Sequence, residues 1–245
     1  MSLKVLLNGA KGRMGKTISA LANELDFEIV GAMDLGDDPS REMSKCDVAI
    51  DFSSHDSIIS LIEHTKREQK PMVIGTTGHT EEERNSIVEA SKSLSIVWAG
   101  NYSIGVNLLF YLTEQAAQIL DTSYNPEIVE LHHRFKIDSP SGTAEGLREV
   151  IGETRGISKK KTRLGRSGIT GERPDDEIGM HSLRGGDAVG DHTVNFIGNG
   201  ERIELTHRAS DRRIYAQGAV VAASWVVNRE PGIYSMRDVL GMKSA

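Results

Sequence analysis

The densest run of groups able to move protons or hold anions is Glu130-Leu131-His132-His133-Arg134-Phe135-Lys136. Histidine titrates near neutrality, so either imidazole could serve as a general acid or base. His132 and His133 are neighbours at the end of an alternating, strand-like stretch, so they point to opposite sides. That disfavours joint ligation of one metal, and no acidic cage lies nearby, so no metal site is expected. One of the pair could equally be structural. Lys136 falls beyond them in a turn, where its ammonium can hold a carboxylate as a point charge. Farther on, Ser141-Gly142-Thr143 stands where a helical run begins. Backbone N–H groups at such a start form a second anion site.

A different chemistry is written at the other end of the chain. The short apolar run Lys4-Val5-Leu6-Leu7 leads into Asn8-Gly9-Ala10-Lys11-Gly12-Arg13-Met14-Gly15 and then into a helical pattern. Gly9, Gly12 and Gly15 are a spacing variant of the Rossmann fingerprint. A tight turn, close approach of the backbone to a pyrophosphate and close helix–strand packing all need glycine there. The segment Gly9, Ala10, Lys11, Gly12, Arg13, Met14, Gly15 is therefore the candidate phosphate cradle of a dinucleotide. Asp34 follows about 20 residues later at the end of a second strand, placed to accept from the adenosine ribose hydroxyls. It would repel a 2′-phosphate, and Leu35 offers no charge to hold one, although Lys11 could partly offset this. NADH and NADPH are both expected to bind, with a lean to NADH. Gly75-Thr76-Thr77 and Gly100-Asn101-Tyr102 follow later strands, at the carboxyl ends where ligands of parallel sheets bind, and are expected to line the nicotinamide end.

These groups need elements to position them. Helical periodicity covers Met14 to Leu25, Ser57 to Glu68 and a run opened by the capping pattern Thr80…Glu83. Strand-like runs cover Phe27 to Met33, Val48 to Asp51, Pro71 to Ile74 and Ser95 to Ala99. Strands and helices alternating in this way predict a parallel sheet with helices on both faces. After a helix over Val106 to Leu120 the texture changes. Glu127 to His132, Met180 to Leu183, His192 to Ile197 and Arg202 to Thr206 alternate and are joined by Gly-rich turns. Tyr215 to Val227 is helical and could return to the first domain. The expected fold is α/β: a Rossmann-like parallel-sheet domain over residues 1–103 and 213–245, and a mixed-sheet α+β domain over 104–212 that binds substrate. Lys159-Lys160-Lys161 with Arg163 and Arg166 reads as a solvated loop, or as a mobile basic lid over an anionic site.

Bulk composition narrows the partners. The 245 residues carry a formal net charge of -6, with 38% hydrophobic and 26% charged residues. A real core is affordable, and nucleic-acid binding, which wants a basic face, is not expected. An anionic substrate must be drawn in by a local basic pocket. The single cysteine, Cys46, precedes an apolar run and reads as packing. No membrane span or signal-peptide pattern is found, and a cytoplasmic location is expected.

With these residues assembled, the chain resembles the dihydrodipicolinate reductases of bacterial lysine biosynthesis. The motifs that carry the likeness are Gly9 to Gly15, Gly75 to Gly78, Asn101 to Asn107 and above all Glu130 to Ala144. Arg166-Ser167-Gly168 with Gly171-Glu172, Arg184-Gly185-Gly186-Asp187 and Thr206 to Arg212 follow in the family's order. The resemblance implies reduction of a cyclic imine dicarboxylate by NADH or NADPH. It implies His132 as general acid and Lys136 as catalytic, substrate-binding lysine. Further, it implies that His133, Lys136, Ser141, Gly142 and Thr143 hold substrate, that Arg212 lies near the cofactor, and that the second domain's sheet builds a homotetramer. Phe135 departs from the pattern, standing where members often carry another histidine. Two other readings stay open: another two-domain nicotinamide dehydrogenase, and a non-catalytic dinucleotide sensor.

Overall fold

The structure is a computed structural model that describes residues 2–242. Its contacts divide the chain into two units, one running to Ile104 and resuming at Arg213, the other spanning Gly105–Arg212.

The first unit opens with β1 (Leu3–Asn8), α1 (Arg13–Leu21), β2 (Phe27–Met33), α2 (Ser40–Met43), β3 (Val48–Asp51), α3 (Ile58–Arg67), β4 (Met72–Ile74), α4 (Glu81–Ala90) and β5 (Ser95–Trp98). These strands are parallel, in the order β5-β4-β3-β1-β2. All four residues of β3 are buried, as a central parallel strand covered on both faces requires. Alternation along β1 splits its side chains between two cores. Val5 and Leu7 face one with Ile50 and Val97, and Leu6 faces the other with Ala49, Ile74 and Ile96. Thr80 and Glu83 form the expected capping box. Helix α1 stops at Leu21, four residues short of expectation, because the chain turns and Asp26 takes a positive φ of 52°. Cys46 is buried; burial lifts its thiol to about 11, and Sγ points at the Met43 carbonyl, as packing predicts.

The second unit contains α5 (Ile104–Ile119), β6 (Asn125–His132), α6 (Gly142–Arg155), β7 (Thr162–Leu164), β8 (Ile178–Arg184), β9 (Gly190–Ile197) and β10 (Arg202–Ala209). Its sheet runs β10-β9-β6-β8-β7, antiparallel on one side of β6 and parallel on the other. Strand β6 alternates strictly between half-buried and buried residues. Ile128 on its buried face joins Leu147 and Ile151 of α6, with Ile178, Val194 and Phe196, in the core. Gly156, at φ 67°, ends α6 in the left-handed conformation that a side chain resists.

Three further elements complete the first unit: α7 (Arg213–Val226), β11 (Gly232–Tyr234) and α8 (Met236–Val239). Strand β11 adds parallel to β5 as a sixth strand, and α7 packs beside α1. Among the described residues no helix is long and apolar enough to cross a membrane.

Candidate active site

The loop after β1 closes only because its residues are glycine. Gly9 has a φ of 86°, and its N–H reaches the Met33 carbonyl at 2.8 Å. A Cβ on Gly9 would strike the Phe52 carbonyl, and one on Gly15 would strike the Gly9 carbonyl and Ala10. Gly12 precedes α1 in extended conformation, and no side chain caps that helix. The first-turn donors of α1 and its positive dipole end are therefore left to a ligand. This cradle fits a dinucleotide pyrophosphate. Arg13 is exposed and Met14 half-buried at its rim. Asp34 stands beside the loop: Oδ1 accepts from the Lys11 N–H at 3.1 Å, and Oδ2 lies 3.6 Å from the Lys11 ammonium. The lysine offered as a 2′-phosphate contact is thus drawn to Asp34. A cavity of about 290 Å³ opens next to Asp34, lined also by Leu35, Asp37 and Asp56, with no lysine or arginine in its wall.

At the ends of the next strands, Gly75 lies flat on the Phe52 ring, where a Cβ would collide. Thr76 is buried and its Oγ1 accepts from the Ser53 N–H at 3.0 Å, while Thr77 and Gly100 are exposed. Asn101 Oδ1 accepts from the Ser103 N–H at 2.9 Å. Tyr102 turns its side chain inward. Its side chain is 1% exposed, donates to the Ile74 and Val97 carbonyls and meets Phe52 edge-on. It braces the loop from within the core and offers no ring to a ligand. Beneath lies a polar knot that sequence reading missed. Asn8 Nδ2 donates to Asp51 Oδ1 at 2.8 Å and to the Ser53 and Ser57 hydroxyls. Burial pushes the Asp51 carboxyl above its usual range.

The second unit gathers the other candidates at the end of β6. Glu130 and His132, two residues apart, share the buried face, with 1% and 8% exposure. Glu130 Oε2 accepts from His132 Nδ1. Arg184, on the neighbouring β8, donates from Nη1 and Nη2 to the two Glu130 oxygens, at 2.9 Å each. Its Nη2 also reaches the Asp138 carbonyl at 2.8 Å. Across β9, His192 packs edge-on to His132 with ring centroids 5.1 Å apart. Its Nε2 lies 2.9 Å from the hydroxyl of Ser141, which itself accepts from the Ala144 N–H and so caps α6. The hydroxyl thus links the start of α6 to the His192 ring. The exposed Gly142 and half-buried Thr143 follow in the first turn of α6.

Charge in this cluster is finely set. Burial lowers His132, and the Glu130 carboxylate pulls the other way. Burial also drives His192 down to about 4, so it is a neutral neighbour. Burial raises Glu130, but hydrogen bonds from Arg184, Ser182 and His132 outweigh that and leave it below the ordinary range. His133 leaves the strand on the opposite side, as the alternation requires. Its Nε2 is 3.3 Å from Arg212 Nη2, and its backbone is held by the Ala188 carbonyl. Lys136 is not a free cation: both Asp138 oxygens lie within 2.8 Å of Nζ. His132, Lys136, Ser141, Gly142 and Thr143 thus share one loop-and-helix corner. The cofactor candidates lie on the first unit, apart from Arg212.

Glu130, Asp138, Arg184 and His192 are the neighbours to which the sequence assigned no role. Period two along β6 could have found Glu130; Arg184 and His192 come only from strand register. Four of the five basic residues in the run after α6 are paired with carboxylates. Lys159 pairs with Glu145, Lys161 with Asp176, and Arg163 with Glu177, while Arg166 binds Glu127 and Glu177. On the first unit, His55, Asp56 and Glu83 also bring possible ligand atoms together. Glu83 already serves His55 and the cap of α4.

Comparison with known proteins bears on both units. Residues 3–102 match the family model described as dihydrodipicolinate reductase, N-terminus, and residues 105–240 match that of its C-terminus. A protein of Akkermansia muciniphila named 4-hydroxy-tetrahydrodipicolinate reductase is 52% identical over 242 residues, covering 98% of each chain. One of the same name from Aquifex aeolicus is 46% identical, covering 99% of this chain and all of its own. A dipicolinate-bound dihydrodipicolinate reductase from Paenisporosarcina sp. TG-14 superposes with a TM-score of 0.75. It is 21% identical, with 96% of this chain and 98% of that one covered, a likeness of fold.

Proposed function

The chain belongs to the dihydrodipicolinate reductase family, and from that premise we propose how its residues carry out the reduction of 4-hydroxy-tetrahydrodipicolinate. It is an oxidoreductase with a dinucleotide-binding unit. The Gly9–Gly15 cradle would hold NADH or NADPH, which would supply a hydride, two electrons and a hydrogen nucleus, for ring carbon 4 once the 4-hydroxyl has left as water. Negative charge then develops toward the ring nitrogen, and a proton must follow. His132 gives that proton from Nε2, the ring nitrogen not held by Glu130. Lys136 holds a substrate carboxylate as a point charge. His133, Ser141 and the Gly142 and Thr143 amides hold the rest of the dicarboxylate, fixing the ring for attack. Arg212, next to His133, supplies a positive charge near the cofactor end.

The observation that carries this reading is the single corner where a buried imidazole with one held nitrogen meets a lysine and a capped helix start. A dinucleotide sensor has no use for it. The cofactor lean is to NADH: three carboxylates line the cavity beside the loop, and the exposed Lys11 stands beside one of them, Asp34. The enzyme works as a cytoplasmic homotetramer built through the second unit's sheet. The test is to follow loss of reduced-cofactor absorbance with freshly made 4-hydroxy-tetrahydrodipicolinate. Turnover with either cofactor is expected. Cofactor binding without turnover would select the sensor.

A further inference from the structure

Glu130 is a buried carboxylate that nothing in the reaction, as just described, requires to be charged. Burying such a group costs several kcal/mol unless its oxygens are fully engaged. Here they are: Arg184 forks onto both, and His132 Nδ1 takes one of them. A bidentate fork fixes the plane of a carboxylate as well as its charge. The same guanidinium also holds the Asp138 carbonyl, so the fork is anchored on both sides. The two nitrogens of His132 are treated differently. Nδ1 is engaged, whereas Nε2 has no hydrogen-bond partner among the described residues. Gly190 stands next to Nε2, and a Cβ on it would come within 2.9 Å. The sheet thus holds one edge of the ring and keeps the other edge clear.

We propose that Glu130, clamped by Arg184, is a positioning residue for the reduction: it holds the Nδ1–H of His132 and so presents Nε2 as the proton-donating atom. This rests on His132 being the acid of the reaction. In the step itself the Nε2–H bond breaks, its electron pair stays on Nε2, and the proton goes to the reduced ring. Nδ1–H remains on Glu130 throughout, so Glu130 is never protonated; solvent later recharges Nε2.

The surrounding charges give Glu130 a second consequence. Four charged or titratable groups face His132: Glu130 on its own strand, Arg184 on β8, His192 on β9 and Lys136 in the following loop. Glu130 is the one anion among them. Burial, Lys136 and Arg184 all disfavour the imidazolium, and Glu130 opposes them. Replacing it by glutamine keeps an acceptor of the same shape but leaves His132 facing only positive or neutral groups. A purely structural ion pair between β6 and β8 would instead lower activity equally at every pH.

The experiment uses the full chain with ¹⁵N-labelled histidine, as wild type, Glu130→Gln and His132→Gln. Imidazole ¹⁵N spectra across pH read tautomer and titration directly, with His132→Gln giving the assignment. In wild type the neutral ring is expected as the Nδ1–H form. In Glu130→Gln its midpoint should fall by about one pH unit or more. Turnover near pH 7.5 should then drop roughly tenfold and recover toward lower pH, with the Michaelis constant for the dicarboxylate little changed. An unshifted midpoint and wild-type tautomer in Glu130→Gln, or a loss of turnover equal at all pH values, overturns the proposal. Should Glu130→Gln not fold, Arg184→Lys keeps the charge and removes the fork. A mixed tautomer there supports the clamp, and a wild-type spectrum and profile refutes it. If His132→Gln turns over normally, the acid assignment is what fails, while the spectra still report whether Glu130 holds the ring.

Discussion

On the proposed function, Lys136 would meet an anionic substrate with its charge already engaged by Asp138, two residues away. Asp138 is 60% exposed on its side chain and Lys136 18%, so the carboxylate can swing into water while the ammonium stays in place. A substrate carboxylate must displace it, and that competition weakens binding. Asp138→Asn is therefore expected to lower the Michaelis constant for the dicarboxylate by about threefold, a rim-charge effect worth under 1 kcal/mol. A raised constant in steady-state kinetics would show instead that Asp138 orients the lysine. The residue types of this corner were legible from spacing alone, because His132, Lys136 and Ser141 to Thr143 lie close in sequence. Their partners were not. Arg184 and His192 lie 54 and 62 positions from Glu130, and only the pairing of β8 and β9 with β6 brings them together. The inward rotamer of Tyr102 was not legible either, because it is a fact of packing.

At the scale of elements, most strands were readable and two short edge strands were not. Strand β2 has the expected bounds of Phe27 to Met33, and β3 those of Val48 to Asp51. Strands β7 and β11 have three residues each, lie at sheet edges and lack the buried apolar run that marked the equally short β4; they exist because β8 and β5 offer free edges. One element end carries a prediction of its own. Asp34, just past β2, meets the Gly loop through the Lys11 N–H and the Lys11 ammonium. On the proposed reading, Asp34→Ala would loosen that loop for both cofactors, remove the ribose acceptor and leave Lys11 to a 2′-phosphate. The ratio of kcat/KM for NADPH over NADH should rise about tenfold. A wild-type enzyme that prefers NADPH, with a ratio unmoved by the substitution, would place the selectivity elsewhere.

For the molecule as a whole, the proposed tetramer is checked by light scattering at micromolar concentration, where a monomer would count against it. Acid sensitivity is a second global property. His192 is depressed by burial from 6.5 to about 4. Between those values the unfolded chain binds a proton there and the folded chain does not. Stability is therefore lost as pH falls from 6.5 toward 4, by at most about 3 kcal/mol for this group. Urea midpoints from pH 7 to pH 5 should fall more steeply in wild type than in His192→Gln, and equal slopes would contradict the assignment. Finally, the first unit is written in two pieces. Ala216, Ala219, Ala223 and Val226 of α7 share a core with Val5, Leu7 and Val97, and Ser95 Oγ donates to the Val226 carbonyl 131 positions later. A chain leaving the ribosome cannot finish that core when β5 emerges; it must first release all of residues 105–212. The later-written unit thus has everything it needs before the earlier one does. Until α7 arrives, the face of the parallel sheet meant for it stays open to water, so synthesis stalled in that window leaves the nascent chain most exposed to chaperones and proteases.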